Sequence, residues 1–159
     1  MLQTHFLQLL DYEKQATEAV LNTVRQVKPK KRPPKVAAIV SHLLAAQEIW
    51  LVRLQGETVS VSPWQETPET VWLPTLMENV QKLTRFILKC DNWQSTITYE
   101  NSKGERFENT IAGMLQHLFL HGSYHRGQLV VLMRPWVEKP PVTDFIFYLR
   151  EGNTLEQNL

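Results

Sequence analysis

The stretch Gln116-His117-Leu118-Phe119-Leu120-His121-Gly122-Ser123-Tyr124-His125-Arg126-Gly127-Gln128 holds three of the chain's five histidines, each four residues from the next. Four residues on a helix turn the chain by about 400°, so the three imidazoles lie one turn apart along a slowly rotating stripe. Two neighbouring imidazoles of such a stripe can grip one divalent metal, and a third ligand must then come from elsewhere in the fold. The rest of the chain is expected to deliver it.

Outward from this stretch, the helix that carries it is predicted from near Thr110 to Arg134, where Pro135 stops it. Before it, between Asp91 and Asn109, the period changes: Ile97 and Tyr99 alternate with Thr96, Thr98 and Glu100, Asn101 to Gly104 supplies turn chemistry, and Glu105-Arg106-Phe107 resumes. That pattern predicts a short β-hairpin. A third helix is expected to extend to Cys90, opened by a Thr67 cap with Pro68 and Glu69 and with Pro74 as a candidate break; its stripe is Leu73, Leu76, Val80, Leu83 and Ile87. A second helix is predicted from about Val36 to Leu54, closed by Gly56, with Glu57 to Glu66 a polar loop.

The first helix runs from Leu2 to Val27, with apolar residues at spacings of three and four and with Glu13, Lys14, Glu18 and Arg25 between them on the polar side. Pro29 ends it, and the basic, proline-rich run from Lys28 to Lys35 reads as a charged connection. After Pro140-Pro141, the segment from Asp144 to Arg150 fits a strand or a short helix, with Thr143 or Asp144 as cap and Gly152 as terminator favouring the helix. The expected fold is all-α: an up-down four-helix bundle, a small β-hairpin between helices 3 and 4 and a short C-terminal helix, with residues 1–159 forming one domain.

At 159 residues the chain can bury a sizeable core, and its net charge of +1 gives no general attraction to nucleic acid or membrane. One cysteine, Cys90, excludes an intramolecular disulfide and suits a reducing cytosol. The N-terminus has no basic n-region, and the apolar residues after it are interrupted, so neither a signal peptide nor a transmembrane span is expected and the protein is placed in the cytoplasm.

A helical wheel separates the three histidines. With Ile111 at zero and about 100° per residue, His125 falls near 320° and His121 near 280°, inside or beside the arc of Met114, Leu115, Leu118, Leu129 and Leu132, whereas His117 falls near 240° and flanks it. On the second helix, His42 lies inward among Ala38, Ala45 and Ala46, whose small side chains leave room for an imidazole and what it holds. Buried imidazoles can be hydrogen-bonded structural residues; a shared metal satisfies several at once. His5 is expected to be exposed. Cys90, in line with Leu83 and Ile87, reads as packing, and Glu48 lies about 120° round the helix from His42, so spacing nominates no general base.

The run from Ser41 to Gly56 resembles the second-helix signature of the DinB/YfiT-like proteins, a histidine followed by an alanine-rich turn, a tryptophan and a closing glycine. His117 to Gln128, ending in His-Arg-Gly-Gln, resembles their fourth-helix signature more closely still. The hairpin with Gly104 and the segment from Pro140 to Asp144 match in position. The first helix departs from the family, with Tyr12-Glu13-Lys14-Gln15-Ala16-Thr17 where a Tyr-x-x-Trp-Ala-Asn pattern is common. Membership implies a divalent metal, zinc or nickel, held by three histidines that map onto His42, His121 and His125, and a homodimer. It implies a metal-dependent thiol S-transferase or hydrolase acting on a small molecule, with a low-molecular-weight thiol as possible cosubstrate. The alternative is a non-catalytic stress-response module with a structural metal. Arg126 and Gln128 are candidates to support the ligands, with Arg126 placed to brace another helix or a subunit.

Overall fold

The computed structural model describes residues 1–151; Gly152 and the rest of the tail lie outside the described residues. Its elements are α1 (Leu2–Gln26), α2 (Lys35–Leu54), α3 (Glu69–Lys89), β1 (Thr96–Glu100), β2 (Arg106–Thr110), α4 (Ile111–Met133) and α5 (Phe145–Glu151), with short 3-10 turns at Pro29–Lys31 and Arg134–Trp136. Four long helices pack together, the hairpin lies between α3 and α4, and the segment after Pro140-Pro141 is a helix.

The spatial order follows from which apolar residues meet. α1 and α2 each pack on both α3 and α4, so α1 and α2 face each other across a diagonal. One apolar block gathers Val20, Val24, Val36, Val40, Leu44, Trp72, Leu76, Leu129 and Met133; the other gathers Phe6, Leu10, Leu51, Leu54, Leu83, Ile87, Leu115 and Phe119. α1 and α4 therefore run from the second block to the first, and α2 and α3 both run back. The order is thus up-down-down-up, a correction to the up-down alternation expected: the long connection from Gln55 to Pro68 returns the chain to the first block before α3 begins. Each buried leucine or isoleucine contributes about 1.5–3 kcal/mol relative to exposure. The two blocks hold the bundle together.

α2 is long and apolar enough to cross a membrane by length and composition, but most of it is buried in the bundle against α3 and α4, with Val36, Val40, Leu44, Leu51 and Leu54 in the core. It closes as expected at Gly56, whose φ of 73° is left-handed. α3 is continuous through Pro74, a correction to the expected break: the proline sits in the second turn, where only one intrahelical hydrogen bond is lost. Its start also differs. Pro68 is the cap position and Thr67 turns away to α2, its Oγ1 3.2 Å from Ser41 Oγ and its backbone N–H donating to that same oxygen at 3.0 Å.

The hairpin is antiparallel, with Tyr99 opposite Phe107. It fixes where α4 begins. Thr110 caps α4 by accepting from Gly113 N–H at 3.1 Å, while the N–H groups of Ile111 and Ala112 donate to Ser95 and Trp93 carbonyls at 2.9 and 3.0 Å. Arg53 ties the hairpin to α2, with its guanidinium carbon 4.8 Å from the Trp50 ring centre and 5.0 Å from that of Tyr99.

One expectation is overturned inside the bundle. Glu13, placed on the polar side of the first helix by its neighbours in sequence, is fully buried. It follows Phe6 and Leu10 by seven and three residues and precedes Val20 by seven, so it occupies the apolar stripe itself. Its partner is Arg126 of α4, also fully buried.

Candidate metal centre

His42 of α2 meets His121 and His125 of α4 because these two helices pack along much of their length. His42 is 8% exposed and His125 5%, with His121 half-buried. One ligand atom from each ring lies within 4.8 Å of the others. The rings stand nearly perpendicular: 73° between His42 and His121, 82° between His42 and His125, and 77° between His121 and His125. Edges converge on a common centre.

Hydrogen bonds decide which nitrogens point there. His42 Nδ1 is 2.6 Å from the carbonyl oxygen of Pro63, which only accepts, so Nδ1 carries the hydrogen and Nε2 presents a lone pair. His125 Nδ1 donates in the same way to Gln128 Oε1 at 2.8 Å, leaving its Nε2 free. His121 Nε2 lies 3.2 Å from His42 Nε2. Two imidazole lone pairs at that distance repel unless a proton or a cation stands between them. Two nitrogens held at 2.0–2.1 Å by one tetrahedral ion would be about 3.3 Å apart, so this pair fits a metal.

The electrostatics agree. Burial pushes His121 down to about 4, helped by the neighbouring rings of His125, His42 and His117. His125 is lowered by burial, which outweighs the raising effect of Gln128. Both are neutral at pH 7, the form that binds metals.

His117 stands outside the cluster, as the wheel placed it. It is exposed, with its ring stacked on His121 at 5.4 Å and tilted against Trp50 at 4.6 Å. Burial, then the charge of Arg53, lowers its pKa. His5 is exposed and far down the sequence from any of these rings. Cys90 packs at the end of α3 against the second apolar block, and burial raises its thiol pKa, so it is not an activated nucleophile. It lines a separate open cavity of ≈ 460 Å³ with Gln55, Lys82 and Arg85, to which no histidine contributes.

These three histidines and the fold around them can be set beside known proteins. The sequence matches the DinB family over residues 1–157. This chain belongs to the DinB family. It is also similar to the protein DinB of Bacillus subtilis (strain 168), 21% identical over 125 residues that cover 73% of each chain. In this DinB family member the buried His42, His121 and His125 could hold a metal ion.

Two parts of the site were not read from the sequence. Trp64, in the loop between α2 and α3, stacks face to face on His42 with ring centres 3.8 Å apart and planes at 5°, though it is 56% exposed. With Tyr124, 64% exposed and edge-on to His125 at 5.1 Å, it forms an aromatic rim. A tryptophan beside Pro63 in an otherwise polar loop was the available signal. The second part is the partner of Arg126: the arginine braces another helix as the sequence reading placed it, but its bond to Glu13 of α1 was not foreseen, with Thr17 accepting from the same guanidinium nitrogen at 3.3 Å. Burial opposes the Arg126 charge, but Glu13 more than offsets it and holds the guanidinium above its ordinary pKa.

Proposed function

We propose that this DinB family protein is a metal-dependent enzyme acting on a small molecule, with His42, His121 and His125 as the ligands of one divalent ion, zinc or nickel. The observation that carries this is the convergence of three imidazoles, two of them with Nδ1 already engaged, on one point with no carboxylate or thiol among them in the described residues. Three protein ligands are the number found where a metal keeps positions for water or substrate. A divalent ion there supplies Lewis-acid polarisation, which favours the anionic form of a thiol or a water.

The chain's own residues do the rest. Pro63 and Gln128 hold the ligand rings in one tautomer and orientation. Trp64 and Tyr124 border the approach and exclude water from one side of an entering molecule. Among the described residues no carboxylate joins the cluster to take a proton from water, which favours a thiol S-transferase with a low-molecular-weight thiol as cosubstrate over a hydrolase. A homodimer in the cytoplasm belongs to the same proposal, supported by the exposed apolar Leu120, Tyr124 and Val131 on the outer face of α4.

Assay of zinc- and nickel-loaded protein with small thiols and an electrophile, an epoxide or a halogenated aromatic, and separately with esters and amides, tests this. Turnover that is abolished by chelator and by His125→Ala is expected. Bound metal without turnover of any of these substrates would instead favour the non-catalytic module.

A further inference from the structure

The two apolar blocks of the core are separated by a layer of polar side chains at the level of the histidines. Every long helix contributes: Glu13 and Thr17 from α1, Gln47 from α2, Asn79 from α3, and Arg126 from α4. All are buried. Arg126 bonds Glu13; Gln47 Nε2 donates to Glu13 Oε1 at 3.2 Å; Asn79 Nδ2 donates to Gln47 Oε1 at 3.3 Å and to the Leu44 carbonyl at 3.0 Å. One connected set of hydrogen bonds thus crosses all four helices.

The layer and the cluster share their backbone. Gly122 follows His121 and Arg126 follows His125, so the two pairs form neighbouring stripes about 100° apart on one helix and cannot turn independently. Gly122 is where the Glu13 carboxylate seats. A Cβ built there would come 2.6 Å from Glu13 Oε2 and 2.8 Å from its Cδ, so only glycine admits the carboxylate. On α2, Gln47 lies five residues beyond His42.

Stability does not account for this arrangement. Arg126 Nε and Nη2 are buried without an acceptor, and apolar residues of similar volume often serve a core as well or better than an ion pair. What a buried polar set can supply is register, because apolar surfaces tolerate small slides and rotations that a directional network does not.

Resting on the metal reading of the cluster, we propose that Glu13, Arg126, Gln47 and Asn79 are positioning residues that set the rotation and register of α4 against α2, and so bring His121 and His125 onto His42.

The test uses the full chain, with cobalt(II) as spectroscopic probe and zinc for affinity, and two variants. Glu13→Leu with Arg126→Met removes both charges together; Gln47→Leu with Asn79→Leu cuts the tie to α2 and α3 while leaving the ion pair. Two readouts apply to folded protein: zinc affinity, and magnetisation transfer between the His42 and His121 ring protons in metal-free protein. The charge-free variant is expected to keep its denaturation midpoint within the wild-type range or above it, yet bind zinc at least tenfold more weakly and lose the ring–ring signal. The amide-free variant should move the same way by about threefold. Should the first variant fail to fold, the second decides. Folded variants with wild-type affinity and intact ring contacts would overturn the proposal. If wild-type protein shows the ring contacts but binds no zinc or cobalt, the metal reading fails, and the ring signal in the variants alone decides the positioning role.

Discussion

α4 carries two buried polar assemblies side by side, and they are resolved differently. Gly122 and Arg126 face a layer in which an acid and a base are paired and four helices are tied together. His121 and His125 face His42 across a centre where lone pairs converge and no protein charge answers them. One assembly is nearly complete within the chain. The other is completed only by something electron-poor, which is why the first reads as framework and the second as a site.

The contrast can be broken first at the framework. Arg126→Ala leaves the Glu13 carboxylate buried and unpaired, and chemical denaturation should show a loss of about 3–5 kcal/mol. A loss under about 1 kcal/mol would mean that the layer is not the closed unit described. At the site, removing a supporting hydrogen bond should act on binding and not on folding. Gln128→Leu frees His125 Nδ1 and should weaken zinc affinity by about tenfold with little change in denaturation midpoint; an unchanged affinity would show that Gln128 does not orient the ring.

Acidity separates the two regions again. His121 is lowered to about 4 from its ordinary 6.5, so the unfolded chain takes up its proton first as pH falls. The stability this neutral ring contributes is fully present above about 6.5 and lost as pH drops towards 4. Metal-free protein should therefore lose denaturation midpoint across that window. In His121→Gln the decline should be visibly shallower; an equal decline would place its origin elsewhere. The smallest effect belongs to the flanking ring. His117→Ala should change zinc affinity by less than about threefold, because a residue outside the coordinating set lends only local support. A loss comparable to that of His125→Ala would make His117 a ligand.

Much of this was legible from periodicity. The HxxxH spacing and the wheel angle separated His121 and His125 from His117, and alanines around His42 marked it as inward. The start of α4 at Thr110 and the hairpin also followed from capping and turn chemistry. The polar layer was missed because Glu13 was judged by its charge and not by its position. Phe6, Leu10, Glu13, Thr17, Val20 and Val24 keep one alternating spacing of four and three, as Trp72, Leu76, Asn79 and Leu83 do in α3. A polar residue in the register of a core stripe is the mark of a buried partner. The stacking of Trp64 on His42 had only a weaker mark, a tryptophan beside a proline in a polar loop, since the path of the loop from Glu57 to Glu66 depends on how α2 and α3 pack.

The most direct measurement is the metal content of protein purified without a polyhistidine tag, followed by zinc titration of the wild type and of His42→Ala, His121→Ala and His125→Ala. One divalent ion per chain in the wild type, with at least a hundredfold weaker binding in each variant, is the expected result. A wild type that takes up no zinc or nickel, or three variants that keep wild-type affinity, would contradict the account.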